Sequence, residues 1–181
     1  MKFLDDFKNT IGRNALKNKV KSLYRQKRAF NLKDVRTAGI ILNATDIKTF
    51  ETVQNFYKDL KALNIDTWSL GYVDDENVIK AYSYQIGMNH FTKKQLNWFN
   101  KPNGSSAEQF MSKEFDLLVD LTTERFFPLE YILGASKAKF KVGRFYEENN
   151  YYDLMIDIEK NKKLDFFIEQ IKHYLSLINT N

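Results

Sequence analysis

Apolar residues in this chain follow two periodicities, and the change from one to the other falls near Thr37. Before it, Leu4, Phe7, Ile11, Leu16, Val20 and Leu23 recur every three to five positions, with Lys8, Arg13, Lys17, Lys19, Lys21 and Arg25 mostly between them. That spacing predicts an amphipathic helix. After it, short unbroken apolar runs alternate with helical stripes. The runs 38–43 (AGIILN), 65–73 (IDTWSLGYV), 115–121 (FDLLVDL), 140–145 (FKVGRF) and 152–158 (YDLMIDI) predict strands, most of them of the continuous kind that suits a parallel sheet buried on both faces. Phe50, Val53, Phe56, Leu60 and Leu63 mark one helix face, residues 126–138 form an apolar helix with Pro128 in its first turn, and Leu164, Phe167, Ile171, Tyr174 and Ile178 stripe a terminal helix. Strands alternating with helices imply βαβ units, hence a Rossmann-like three-layer α/β domain with a mostly parallel sheet. The stretch 74–113 is less regular. Two capping-box patterns, Thr92 with Gln95 and Ser105 with Glu108, predict two short helices there, separated by a turn at Pro102, Asn103 and Gly104. The expected layout is a basic helical arm over 1–36 and one domain over 37–181.

Charge sharpens that division. Residues 1–36 hold eleven Lys and Arg against Asp5, Asp6 and Asp34, a net charge of +8, whereas the remainder of the 181-residue chain comes to −3. A cationic arm on a near-neutral body favours a polyanionic partner, because clustered cations concentrate anions and gain from counterion release. With 43% hydrophobic residues, ten Tyr and fifteen Phe, the composition is that of a folded chain. No run approaches the ~18 uncharged apolar residues of a membrane span, and no signal-peptide pattern opens the chain, so a cytoplasmic protein is expected. The absence of cysteine excludes disulfides, thiol catalysis and Cys-type zinc sites.

The segment 115–145, FDLLVDLTTERFFPLEYILGASKAKFKVGRF, resembles part of the N-terminal domain of heptosyltransferase-type (GT-B) glycosyltransferases, in which a strand of the form (Y/F)DL(V/A)IDL leads into an apolar helix and ends in a short (K/R)xxG(R/F) strand. The resemblance implies a doubly wound domain. In those enzymes a second such domain holds most of the sugar nucleotide, so the resemblance implies a glycosyltransferase-like small-molecule-binding domain only as a second alternative for this chain. Over its full length, basic arm included, the chain is similar to a family of small uncharacterised proteins of Bacteroidota.

In a parallel sheet, ligands bind beyond the carboxyl ends of the strands. The residues expected there are Asn43, Thr45, Asp46, Asp74, Asp75, Asp120, Thr122, Thr123, Glu124, Arg125 and Arg144. Asp120 has a structural reading as well: with Asp116 it frames an apolar strand, where both carboxylates can bond loop amides. The seven glycines, at 12, 39, 71, 87, 104, 134 and 143, form neither GxGxxG nor a Walker loop. His90 and His173 lack the spacing of a zinc site, and no GxSxG elbow exists. No cofactor, metal or catalytic residue is therefore expected.

Residues 91–104 (FTKKQLNWFNKPNG) interleave Phe91, Trp98 and Phe99 with Lys93, Lys94 and Lys101. Cations on phosphates and rings under bases are how single-stranded nucleic acid is held, although rings after a capping box also serve as a buried helix face. The leading expectation is a non-enzymatic protein that binds RNA, with the ribosome a natural target, through Lys17, Lys19, Lys21, Arg25, Lys27 and Arg28, with Trp98 and Phe99 for stacking. The alternative is a peripheral protein whose arm lies on an anionic membrane surface through Phe3, Leu4, Phe7 and Ile11.

Overall fold

The computed structural model describes residues 2–44, 46–74, 76–83, 87–148 and 151–179, with side chains for all of these but 2–6, 76, 82 and 83. Among the described residues six strands form one sheet: β1 Thr37–Asn43, β2 Asp66–Tyr72, β3 Met88–Phe91, β4 Leu117–Asp120, β5 Phe140–Arg144 and β6 Leu154–Ile156. Every neighbouring pair is parallel, in the order β3-β2-β1-β4-β5-β6. The helices are α1 Lys2–Ser22, α2 Ile47–Ala62, α3 Glu76–Ser83, α4 Ser105–Ser112, α5 Phe127–Ala135 and α6 Leu164–Leu177. The chain winds outward from β1 to β3 and returns to β4 on the other side of β1. The β1/β4 junction is thus the topological switch of a Rossmann-like three-layer fold.

Strand alternation divides the core. Ile40, Leu42, Val119 and Val142 face α2, α3 and α6, while Ile41, Leu70 and Leu118 face α4 and α5. Helix α5, FPLEYILGA, is apolar on nearly all sides and has eight of its nine residues buried. It needs cover on two sides. The sheet supplies one and α1 the other: Leu16, wholly buried, clusters with Phe127, Tyr131 and Ala135. The helices approach closely because two glycines leave room. A Cβ on Gly134 would lie 2.9 Å from Leu16 Cδ1, and one on Gly12 would meet the Phe127 ring at 2.4 Å and the Phe99 carbonyl at 2.8 Å.

Three local expectations change. Strand β3 lies inside the irregular stretch. Its entry is Gly87, whose φ of +82° suits a residue without Cβ. Thr92 and Gln95 do form a reciprocal capping box, but it opens a 3-10 turn of three residues, Lys93–Gln95, because Leu96 already returns to extended backbone and bridges to Pro102. Ser105 is the first residue of α4 and Gly104 its N-cap, with no side-chain cap bond, so the second capping box is not formed.

Candidate functional site

Strand β4 delivers Asp120 to the carboxyl end of the sheet. Its carboxylate is 3% exposed, and accepts from the Thr122 amide at 2.8 Å and from the Tyr152 hydroxyl at 2.7 Å. Burial pushes the carboxyl above its ordinary range, against hydrogen bonds from Thr122 and Tyr152 that favour the charge, and nearby Glu130 adds to the rise. Burial and the Asp120 charge in turn push the Tyr152 phenol well up. Asp120, Thr122, Arg125, Glu130, Tyr146 and Tyr152 line a cavity of about 30 Å³. That volume holds one or two waters. Among the described residues the buried Tyr146 hydroxyl has no hydrogen-bond partner, and its ring lies 4.8 Å from the Arg125 guanidinium and 5.6 Å from that of Arg144. Arg144 donates to the Thr123 carbonyl and to Glu159, each at 2.5 Å.

The expected strand-end residues separate into two groups. Asp120 and Thr122 meet in the cavity, while Arg144 lies outside its lining, against the Tyr146 ring. Asp74, past β2, accepts from the Tyr72 hydroxyl at 2.6 Å and shares a recess of about 450 Å³ with Thr92, Lys93 and Lys94. Asn43 is half-buried at the end of β1 and lines neither space. Asp46 caps α2 by accepting from the Thr49 amide at 2.8 Å. Thr45 and Asp75 lie outside the described residues. No group of three or more His, Cys, Asp or Glu that could hold a metal occurs among the described residues.

The basic arm behaves differently along its length. Lys17, Lys19 and Lys21 are exposed, and no acid lies within 4.0 Å of them among the described residues. Lys27 and Arg28 are also exposed, Lys27 Nζ standing 3.7 Å from Asp153 and the Arg28 guanidinium 5.1 Å from the Phe30 ring centre. Arg25 is the exception to the expected anion-binding set. It donates through Nε to the Ala138 carbonyl at 2.6 Å and through Nη2 to the Lys139 carbonyl at 3.2 Å, and it pairs with Asp153. These bonds fasten the arm to the amino-terminal side of β5 and leave the guanidinium committed.

Beside α1 lies a second basic feature. Lys19 of α1, Lys101 of the loop before α4 and Lys137 of the α5–β5 connection line one recess of about 260 Å³, with Glu108, Met111 and Tyr131. Lys101 Nζ stands 5.5 Å from the Tyr131 ring centre. Three residues before Lys101, Trp98 is 63% exposed and rests edge-on against half-buried Phe99 at 5.1 Å. The loop is built to hold that position: the Asn97 side chain accepts from the amides of Phe99 and Lys101, and Asn100, at φ +63°, donates to Asn9 of α1 at 2.8 Å. The interleaved rings of 91–104 therefore divide, with Phe91 in the core and Trp98 at the surface. Lys137 carried no signal in the sequence, since its place beside Lys19 depends on how α1 docks.

No helix among the described residues is long and apolar enough to cross a membrane. A family model described as a family of unknown function (DUF6913) matches residues 8–178. No curated protein and no solved structure matches the chain.

Proposed function

This chain belongs to DUF6913, a family of unknown function, and we propose that it is a non-enzymatic binding protein for single-stranded RNA, with ribosomal RNA or its precursors as a fitting target. The observation that supports this most is the convergence of Lys19, Lys101 and Lys137, from three separate segments, on one recess three residues from an exposed Trp98. Phosphates would follow the lysines and a base would stack on the indole. The recess also contains Glu108, which opposes anion binding and favours a strand whose phosphates pass on the lysine side. Lys17 and Lys21, also exposed, lie on the other flank of α1 and add to the positive field around it.

The test is binding of a labelled oligouridine across a salt series. Affinity should fall linearly on a log-log plot, with a slope of about −0.7 per phosphate neutralised. Replacing Lys19, Lys101 and Lys137 together by Gln should flatten the slope by about two, and Trp98→Ala should weaken binding by ~1–3 kcal/mol at every salt concentration. An unchanged slope in the triple variant would remove the reading. One observation favours a membrane surface as a second reading: two large apolar side chains, Phe7 at 57% and Trp98 at 63%, are exposed on segments joined by the Asn9–Asn100 bond. Should Trp98→Ala abolish binding to phosphatidylserine vesicles while leaving oligouridine binding intact, that surface is for lipid.

A further inference from the structure

Lys141 is the second residue of β5, opposite Leu118 of β4. Its neighbours Phe140 and Val142 face the α2/α6 side, so Lys141 points toward α5 at a position that an aliphatic side chain would ordinarily fill. It is 2% exposed, and Nζ donates to the carbonyls of Leu133 at 2.6 Å and Gly134 at 3.3 Å in the last turn of α5. No carboxylate lies within 4.0 Å of Nζ among the described residues. The nearby acid, Asp153, is already engaged by Arg25, by Lys27 and by the backbone amide of Lys141 at 2.9 Å. Lys141, the Gly134 peptide it bonds, Arg25, Lys27, Tyr151 and Tyr152 line a recess of about 360 Å³. A buried lysine without a carboxylate, next to two further cations and at the edge of an open recess, has the surroundings of an amine nucleophile.

We propose that this recess takes a small anionic carbonyl compound, an α-oxo acid or a phosphorylated aldehyde, with the anion held by exposed Lys27 and the carbonyl captured as an imine on Lys141 Nζ. The neutral amine adds to the carbonyl carbon, the carbinolamine loses one water, and the C=N bond forms without any oxidant or reductant. Burial, reinforced by the charges of Arg25 and Lys27, lowers the Lys141 amine to about 7, so that a large part of it is unprotonated at neutral pH. The facing Tyr151 and Tyr152 phenols are both raised, chiefly by burial, and stay protonated there.

The experiment incubates the full chain with glyoxylate, and in parallel with pyridoxal phosphate, in the presence of cyanoborohydride, and maps the modified lysines by peptide mass. Lys141 should be labelled first, with a rate half-maximal near pH 7, whereas exposed lysines should follow a pKa of about 10.4. Inorganic phosphate should protect it. Lys27→Gln, a change at an exposed position, should slow labelling about five- to tenfold, as loss of one charge-assisted contact does. Preferential glyoxylate labelling would point to an α-oxo acid, and preferential pyridoxal phosphate labelling to a phosphorylated aldehyde. Labelling confined to surface lysines, or Lys141 labelling unaffected by phosphate and by Lys27→Gln, would overturn the proposal and leave Lys141 as a cap on α5.

Discussion

Asp116 and Asp120 stand four positions apart at opposite ends of β4, both nearly inaccessible, and their charges act in opposite directions. Asp116 accepts from the Arg36 and Thr37 amides at 3.0 and 3.1 Å and from Lys139 Nζ at 2.9 Å. Burial alone would raise it, but Lys139 and the two amides outweigh burial and hold the carboxyl below its ordinary range. Its folded pKa is depressed, so the stability it contributes is present above the unfolded value of about 3.9 and lost as pH falls through the folded value. Asp120 is raised chiefly by burial, so its charge costs stability at neutral pH and the cost disappears as pH falls below its raised pKa. Asparagine is nearly isosteric with both, yet only at position 120 can it keep both bonds, its oxygen accepting from the Thr122 amide and its NH2 donating to the Tyr152 oxygen. Asp116→Asn should therefore lower stability at pH 7 by about 1–3 kcal/mol, while Asp120→Asn should leave it unchanged or raise it. Thermal melts at pH 7 and 4.5 decide this: the advantage of Asp120→Asn should shrink at the lower pH. Equal destabilisation by both at pH 7 would show that the buried Asp120 charge is compensated. That the two acids bond loop amides was legible in FDLLVDL. Tyr152 was not, because it reaches Asp120 from 32 positions away across Gly143, a residue that gives no sign of what packs on it.

The docking of α1 on α5 is decided at two glycines that argue against each other on intrinsic grounds. Alanine at Gly12 would favour the helix by about 1 kcal/mol. Its Cβ would nevertheless meet the Phe99 carbonyl at 2.8 Å, a backbone atom that cannot turn aside, whereas a Cβ at Gly134 meets the end of the Leu16 side chain. Gly12→Ala should thus lower stability by ~1–3 kcal/mol through overpacking, and Gly134→Ala by less. Limited proteolysis within residues 17–27 provides the check, since an undocked α1 would be cut faster in the Gly12 variant than in the Gly134 one. The helix was visible from its periodicity, and the need for a cover was visible in the all-round apolarity of FPLEYILGA. Which residues close the contact was not, because close approach depends on the geometry between two segments over a hundred residues apart. Strand β3 escaped for a different reason. MNHF carries two polar residues in four positions, and an edge strand solvated on one side lacks the continuous apolar run that marked β1 and β4.

The alternation of runs and stripes made the three-layer parallel sheet legible, but the order β3-β2-β1-β4-β5-β6 required the structure, since alternation constrains handedness and leaves the placing of β4 open. Charge followed the same division. The +8 of residues 1–36 was plain in the sequence, whereas its allotment between a structural Arg25 and exposed Lys17, Lys19 and Lys21 depends on the arm crossing the amino-terminal side of β5. That crossing makes the arm part of the folded unit. Arg13 pairs with Glu130 and Arg25 with Asp153, and Leu16 fills the space above α5. If docking is integral, unfolding of the arm region and of the sheet must be one transition. The two tryptophans test this, since Trp68 sits in β2 against Phe115 and Trp98 in the loop bonded to α1 through Asn100 and Asn9. In urea, Trp98→Phe reports the sheet alone and Trp68→Phe reports the arm-bound loop alone. Once corrected for any midpoint shift seen by far-UV circular dichroism in each variant, the fluorescence and dichroism midpoints should coincide, with one common m-value. An earlier fluorescence transition confined to the Trp68→Phe protein would show that α1 and its loop come away before the sheet opens, and that the arm is an appendage after all.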